Sequence, residues 1–290
     1  MRAQPMTAEA ISGRTGTPSG FGAAHAARAL GAIVQRDLFR FVHQRGRLVA
    51  AVVRPSLWLL VFALGFRNVF GVSIIPPYET YVEYQVYVVP GLLGMVLLFN
   101  GMQSSLAMVY DREMGFMRLL LAAPLPRWYL LLSKLVSGTV LSVLQAFGFL
   151  AVAAAFGVDI PWMGWLWALP ALLLVGMMLG ALGLALSVHI RQIENFAGAM
   201  NFVIFPMFFI SPALYPLWRF EEAGAQIVHV AAQLNPFTYG VQLIRFTLYG
   251  QFHTLAAAVV GGCLVAFFAL AVAGYRLRSP PAAPRNPQST

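Results

Sequence analysis

Charge is what this 290-residue sequence has little of: 10% of its residues are charged and 59% are hydrophobic, against roughly 25% charged in an ordinary soluble domain. That scarcity excludes a soluble core and points to several membrane-crossing helices. Lysine occurs once, at Lys134, and follows a serine rather than a glycine. A phosphate-binding loop of the GxxxxGK[ST] type is therefore missing, and with it that route to ATP hydrolysis. Cysteine also occurs once, at Cys263, which excludes an internal disulfide and a thiolate metal cluster. The histidines, at positions 25, 43, 189, 229 and 253, have no metal-ligand spacing, and neither GxSxG nor HExxH is present. No metal site and no bound cofactor are expected. Acidic residues avoid the middles of the apolar runs. A carrier driven by an ion gradient usually keeps an ionisable group there, so energy supplied from outside the bilayer is the favoured reading. An ion-coupled secondary transporter working alone is the alternative. An integral membrane lipid-modifying enzyme is a weaker one, because its nearest polar cluster, Glu221, Glu222 and His229, is sparse.

What is present is a succession of long apolar runs with arginines in the gaps. The net charge of +9 would suggest nucleic acid if it formed a patch; dispersed between runs it suggests a membrane surface instead, and no nucleic-acid partner. Residues 1–20 read as a disordered tail. The segment before Leu48 lacks the pattern of a cleaved signal peptide, so the mature chain is expected to keep its N-terminus. Over 21–47, Leu30, Ile33, Val34, Leu38, Phe41 and Val42 form a helical stripe with arginines on the other faces, an amphipathic helix suited to lying on an anionic leaflet. A membrane domain follows over 48–275, with six spans expected near Leu48–Phe66, Tyr84–Val109, Leu135–Phe156, Trp165–Val188, Phe196–Leu214 and Leu255–Tyr275. Residues 276–290 form a second tail. The expected fold is an all-α integral membrane protein. With both termini inside, all but three of the 19 basic residues (Arg67, Arg219 and Arg245) fall on the cytoplasmic side.

Between the second and third spans lies a charged loop, 110–134. It opens with Asp111, Arg112 and Glu113, carries Met114, Met117, Arg118, Leu120 and Leu121 at helical spacing, and is stopped by Pro124 and Pro126. A short amphipathic helix at the mouth of two spans is suited to receive force from a soluble partner. Between the fifth and sixth spans, 211–254 is too long and too apolar for a simple external loop. Asn235 as N-cap, Pro236 at the first helical position and Gly250 just past the end mark a helix in its second half, and re-entrant external helices bury such a segment without crossing. Within the spans, Asn100, Gln103, Ser104, Ser105, Gln145 and Asn201 are polar; they are candidates both for bonding between helices and for lining a pathway. Gly176, Gly180 and Gly183 form a face for close helix packing.

Taken in order, the strings YVVPGLLG (87–94), Asp111-Arg112-Glu113 with Gly115, LLLAAP (119–124), SPALYPL (211–217) and Asn235-Pro236-Phe237 followed by Arg245 resemble the type-2 ATP-binding-cassette exporter permeases, related to polysaccharide, antibiotic and nodulation-factor exporters. The resemblance covers about residues 35–278. It implies a six-span inner-membrane subunit that pairs with a second permease, identical or different, and is driven by a separate ATPase subunit that binds the ATP. It also implies that Asp111, Arg112, Glu113, Gly115, Arg118, Leu119, Leu120 and Pro124 couple to that ATPase, and that Tyr215, Pro216, Asn235, Pro236 and Arg245 belong to an external gate. Shorter strings, PPYETY (76–81) and NFAGAMNFVIFP (195–206), are similar to permeases found beside quinone (PQQ)-dependent alcohol oxidation systems.

Overall fold

A computed structural model describes residues 23–43, 53, 55–61, 76–78, 82–115, 126–190 and 192–277. The two tails, most of the expected first span, and the loop positions Arg118, Leu119, Leu120 and Pro124 lie outside the described residues. Within them the fold is all-helical. Helix α1 (Ala23–His43) is followed by three long apolar helices, α2 (Tyr84–Glu113), α3 (Arg127–Ala155) and α4 (Trp162–His189). Next come α5 (Ile193–Phe209), the short α6 (Trp218–Glu222) and α7 (Gln226–Leu234), α8 (Pro236–Leu248) and α9 (Thr254–Leu277).

Length and hydropathy together mark four of the described helices as candidate membrane spans. At 1.5 Å per residue, about 20 residues are needed to cross hydrocarbon of about 30 Å. The helices α2, α3, α4 and α9 meet this by length and hydropathy. With 17 residues, α5 reaches only about 26 Å, and a turn over 210–217 follows it where the sequence suggested an apolar span continuing to Leu214. The charged loop is also shorter than it reads. Asp111, Arg112 and Glu113 form the last turn of α2, and α3 already begins at Arg127. Helical hydrogen bonding simply continues through these charged turns, because they sit at helix ends where side chains reach polar surroundings. Gly115, at φ +77, closes α2 in the left-handed conformation that glycine adopts without strain.

The bundle is organised by α2 and α4, which pack on each other and between them touch α3, α5, α8 and α9. Small residues bring them together. A Cβ on Gly101 would lie 2.9 Å from the Gly180 backbone nitrogen, and one on Gly183 would lie 2.5 Å from Ser105 Oγ. Backbones this close exchange dispersion contacts that bulky side chains would prevent, which is how helices associate where no hydrophobic drive exists. Around the seam, Tyr87, Leu92, Leu97, Met102, Phe149, Leu172, Met178, Phe208 and Phe237 are fully buried. By contrast α9 is mostly exposed along its apolar window, as a helix facing lipid should be.

Helix α1 packs against the bundle. Leu30, Ile33, Val34 and Leu38 are half-buried as it packs along α3, and Asp37 Oδ2 accepts a 2.8 Å hydrogen bond from the Ser137 hydroxyl of α3. Nothing local in the sequence signals this contact, since one acid on a basic helix carries no partner information.

The glycine seam yields a prediction. Gly101→Val forces a side chain into the backbone of α4 and is expected to cost about 1–3 kcal/mol, in the range of core overpacking. Gly198→Ala, with open space around it, should be neutral or slightly stabilising. Thermal unfolding midpoints in one detergent measure both; equal midpoints would contradict the packing described.

Candidate functional site

At one end of the bundle the C-termini of α2, α4 and α9 meet the N-termini of α3 and α5. The last turn of α2 joins them. Arg112 Nη2 donates to the Ser187 carbonyl at 2.8 Å and also to the Ile190 carbonyl, so a cation covers acceptors that α4 leaves unpaired as it ends. Glu113 Oε2 accepts from the Ile193 amide at 3.0 Å, placing an anion on the first turn of α5, where exposed amides and the helix dipole favour it. Asp111 faces Lys134 of α3 at 3.8 Å, a loose pair, partly exposed, in a class that contributes up to about 1 kcal/mol. Three consecutive side chains thus hold three different helices.

The opposite end is built from tyrosines and carbonyls. Tyr84 donates to the Leu214 carbonyl at 2.9 Å and Tyr87 to the Pro212 carbonyl at 3.1 Å. Arg245 of α8, buried, donates to the same Pro212 oxygen at 2.6 Å, and its guanidinium lies 4.2 Å from the Tyr87 ring centroid. The turn over 211–217 is therefore gripped by α2 on one side and α8 on the other. Gly91 sits directly against the backbone of Ala213, leaving no room for a Cβ. Among the described residues no carboxylate is within ion-pair distance of Arg245, so the Tyr87 π-face and the carbonyl balance its charge. Beside it, burial pushes the Tyr78 phenol well above its ordinary range, partly offset by Arg245.

Asn235 caps α8 as its sequence context predicts: Oδ1 accepts from the Phe237 amide at 3.0 Å, with Pro236 at the first helical position. Its Nδ2 donates to the carbonyls of Met207 and Ile210, 2.7 Å each, so one side chain starts α8 and covers the end of α5. Gly250, at φ +70, ends the helix and packs its α-carbon against Trp167. Tyr215 donates to the Phe209 carbonyl at 2.6 Å and Pro216 is buried. Three helices, α6, α7 and α8, fill the region where short external helices were expected.

The polar span residues separate into two groups. Asn100 and Gln103 are half-buried on a stripe of α2 that continues to the exposed Ala107 and Tyr110. Asn201 is exposed on α5 beside Phe202, which is 81% exposed. Ser104 instead lines a small crevice against α3 and α4, and Gln145 is buried on α3 with no partner for Oε1 among the described residues. The trio Glu221, Glu222 and His229 does not converge: Glu221 pairs with His229 at 3.3 Å, while Glu222 turns to Arg219 at 3.4 Å. No group of three or more metal-ligating side chains occurs among the described residues.

Comparison with known proteins agrees with this geometry. Residues 28–249 match the ABC-2 type transporter family. A protein named transport permease ycf38, from Cyanophora paradoxa, is 31% identical over 222 residues, covering 74% of this chain and 72% of its own length. Its counterpart from Porphyra purpurea is 28% identical over 218 residues with the same coverage. Nodulation protein J of Rhizobium leguminosarum bv. viciae is 32% identical over 100 residues, 34% of this chain and 37% of its own length. The chain is a multi-pass membrane protein of transport, and it belongs to the ABC-2 type transporter membrane family.

Proposed function

We propose that this chain is the permease subunit of an ATP-driven exporter of the inner membrane, with both termini in the cytoplasm, and that a separate ATPase subunit binds the ATP and supplies the stroke. The observation that carries this reading is that one helix, α2, holds both ends of the bundle. Its last turn ties α3, α4 and α5 together, and its first turns grip the 211–217 turn. A push received next to Asp111, Arg112, Glu113 and Gly115 moves α2 as a strut and so moves the turn. The remaining coupling positions, Arg118, Leu119, Leu120 and Pro124, would complete the contact with the ATPase.

A second permease, identical or different, would face the stripe of Asn100 and Gln103 together with α5. A polar amide such as Asn201 left against hydrocarbon is unfavourable, so a second copy and a translocation pathway are better neighbours for this face than lipid. In that arrangement Tyr215, Pro216, Asn235, Pro236 and Arg245 form the external gate. No cofactor is needed by the chain itself. Its shared strings with permeases found beside PQQ-dependent alcohol oxidation systems point to a cargo connected with periplasmic alcohol metabolism.

Three outcomes test the proposal. Glu113→Arg should abolish the ATPase stimulation that the permease gives its partner while membrane insertion stays normal; stimulation at the wild-type level would remove Glu113 from the coupling role. Tyr87→Phe removes one donor to Pro212, at about 1 kcal/mol, and should raise amide exchange at Ala213 and Tyr215 without changing that of α9. Unchanged exchange at the turn would mean that α2 does not hold it. In a Cys263→Ser background, Asn201→Cys should form cross-links between two copies in the membrane, whereas exclusively monomeric bands would exclude α5 from the pairing face.

A further inference from the structure

We propose that the crevice between α2, α3 and α4, behind the charged end, is a binding site for a single water molecule that bridges the three helices. Its volume is ≈ 10 Å³, about the least that accommodates one water. The lining is polar where it matters: Ser104 and Ser105 from α2, Thr139 and Ser142 from α3, and Lys134 at one extremity.

The hydrogen-bond inventory selects the ligand. Ser105 donates its hydroxyl proton to the Gly101 carbonyl at 3.0 Å, Thr139 to Leu135 at 2.8 Å and Ser142 to Gly138 at 2.8 Å. A hydroxyl whose hydrogen is committed presents only lone pairs to its other neighbours. Three of the four hydroxyls therefore offer acceptors alone, to which a ligand must donate. Ser104 makes no hydrogen bond to a described residue and keeps a proton to give. Several acceptors, with the Ser104 hydroxyl and the Lys134 ammonium as donors, complement water, which gives two hydrogen bonds and accepts others. A cavity of this size lined by leucines would stay dry, but one with two to four polar partners does not.

The water also answers a problem at Lys134. Its side chain is only 18% exposed and its ion pair with Asp111 is long, at 3.8 Å, so a further polar neighbour lowers the cost of enclosing the ammonium group. A bridging water exchanges partners more readily than a direct bond does. Helix α3 can then slide against α2 without leaving polar groups stranded. This site stands whether or not the transport mechanism proposed above is right.

Radiolytic hydroxyl labelling of the purified chain in lipid nanodiscs tests it, because ionised bound water oxidises the side chains beside it and mass spectrometry reads the positions. Leu135 and Leu184 line the crevice and are buried; they should be oxidised several-fold faster than Leu97 and Leu98, which are fully buried in the core. A Cβ on Gly138 would lie 2.6 Å from Ser104 Oγ, so Gly138→Ala fills the space and should bring Leu135 down to the rate of Leu97. Thr139→Val keeps the volume, removes one acceptor and should act in the same direction, which preserves the test if the alanine variant fails to fold. Wild-type labelling of Leu135 and Leu184 no faster than that of Leu97 and Leu98 would overturn the site, as would rates unchanged in a folded variant.

Discussion

The constraint on which the rest of the structure depends is that α2 is continuous from Tyr84 to Glu113 and anchored at both extremities by hydrogen bonds to other parts of the bundle. About 38 Å separates Tyr87 from Arg112 along it. At one extremity charged side chains cover the orphan amides and carbonyls of α4 and α5; at the other, phenols hold the carbonyls of the 211–217 turn. Both sets of partners are backbone groups where the neighbouring chain ends a helix or turns. The buried carbonyls of Pro212 and Leu214 have few alternatives, and each leaves a cost of about 1–3 kcal/mol when stranded. Motion at one extremity is therefore carried to the other more easily than it is absorbed between them.

What makes α2 a strut rather than a flexible rod is the glycine seam with α4. Backbone contacts at Gly101, Gly180 and Gly183 leave no side-chain layer to deform, and Gly91 and Gly94 continue the close approach toward Ala213 and Phe237. Close packing of this kind shifts as a unit or not at all. The crevice lined by Ser104 and Thr139 interrupts that dry contact on the α3 side, so α2 is rigidly joined to α4 and more loosely joined to α3.

Much of this was legible in the sequence, and for identifiable reasons. The long apolar helices follow from composition, and the Asn235-Pro236 cap and the Gly250 stop of α8 follow from local backbone chemistry, which needs no tertiary information. The close face of Gly176, Gly180 and Gly183 was visible as spacing. Other features depend on contacts far apart in the chain. Nothing local shows that Arg112 would cap α4, that Asp37 would meet Ser137 a hundred residues away, or that Ser104 and Gln145 would turn away from Asn201. Helix ends were also misplaced where charge was read as loop: Asp111 to Glu113 and Trp128 to Lys134 are helical because a charged turn at a membrane surface costs a helix little.

The most direct measurement is a pair of distances by pulsed electron spin resonance, in a Cys263→Ser background, with the permease reconstituted beside the ATPase it is proposed to engage. Spin labels at Gly115 and Glu222 of one copy report across the strut, and labels at Glu222 of two copies report across the proposed gate. A rigid α2 requires that ATP leave the first distance unchanged while it widens the second. A change in the first distance with the second fixed would mean that the stroke is lost within α2, and the idea of a strut joining coupling end to gate would fail.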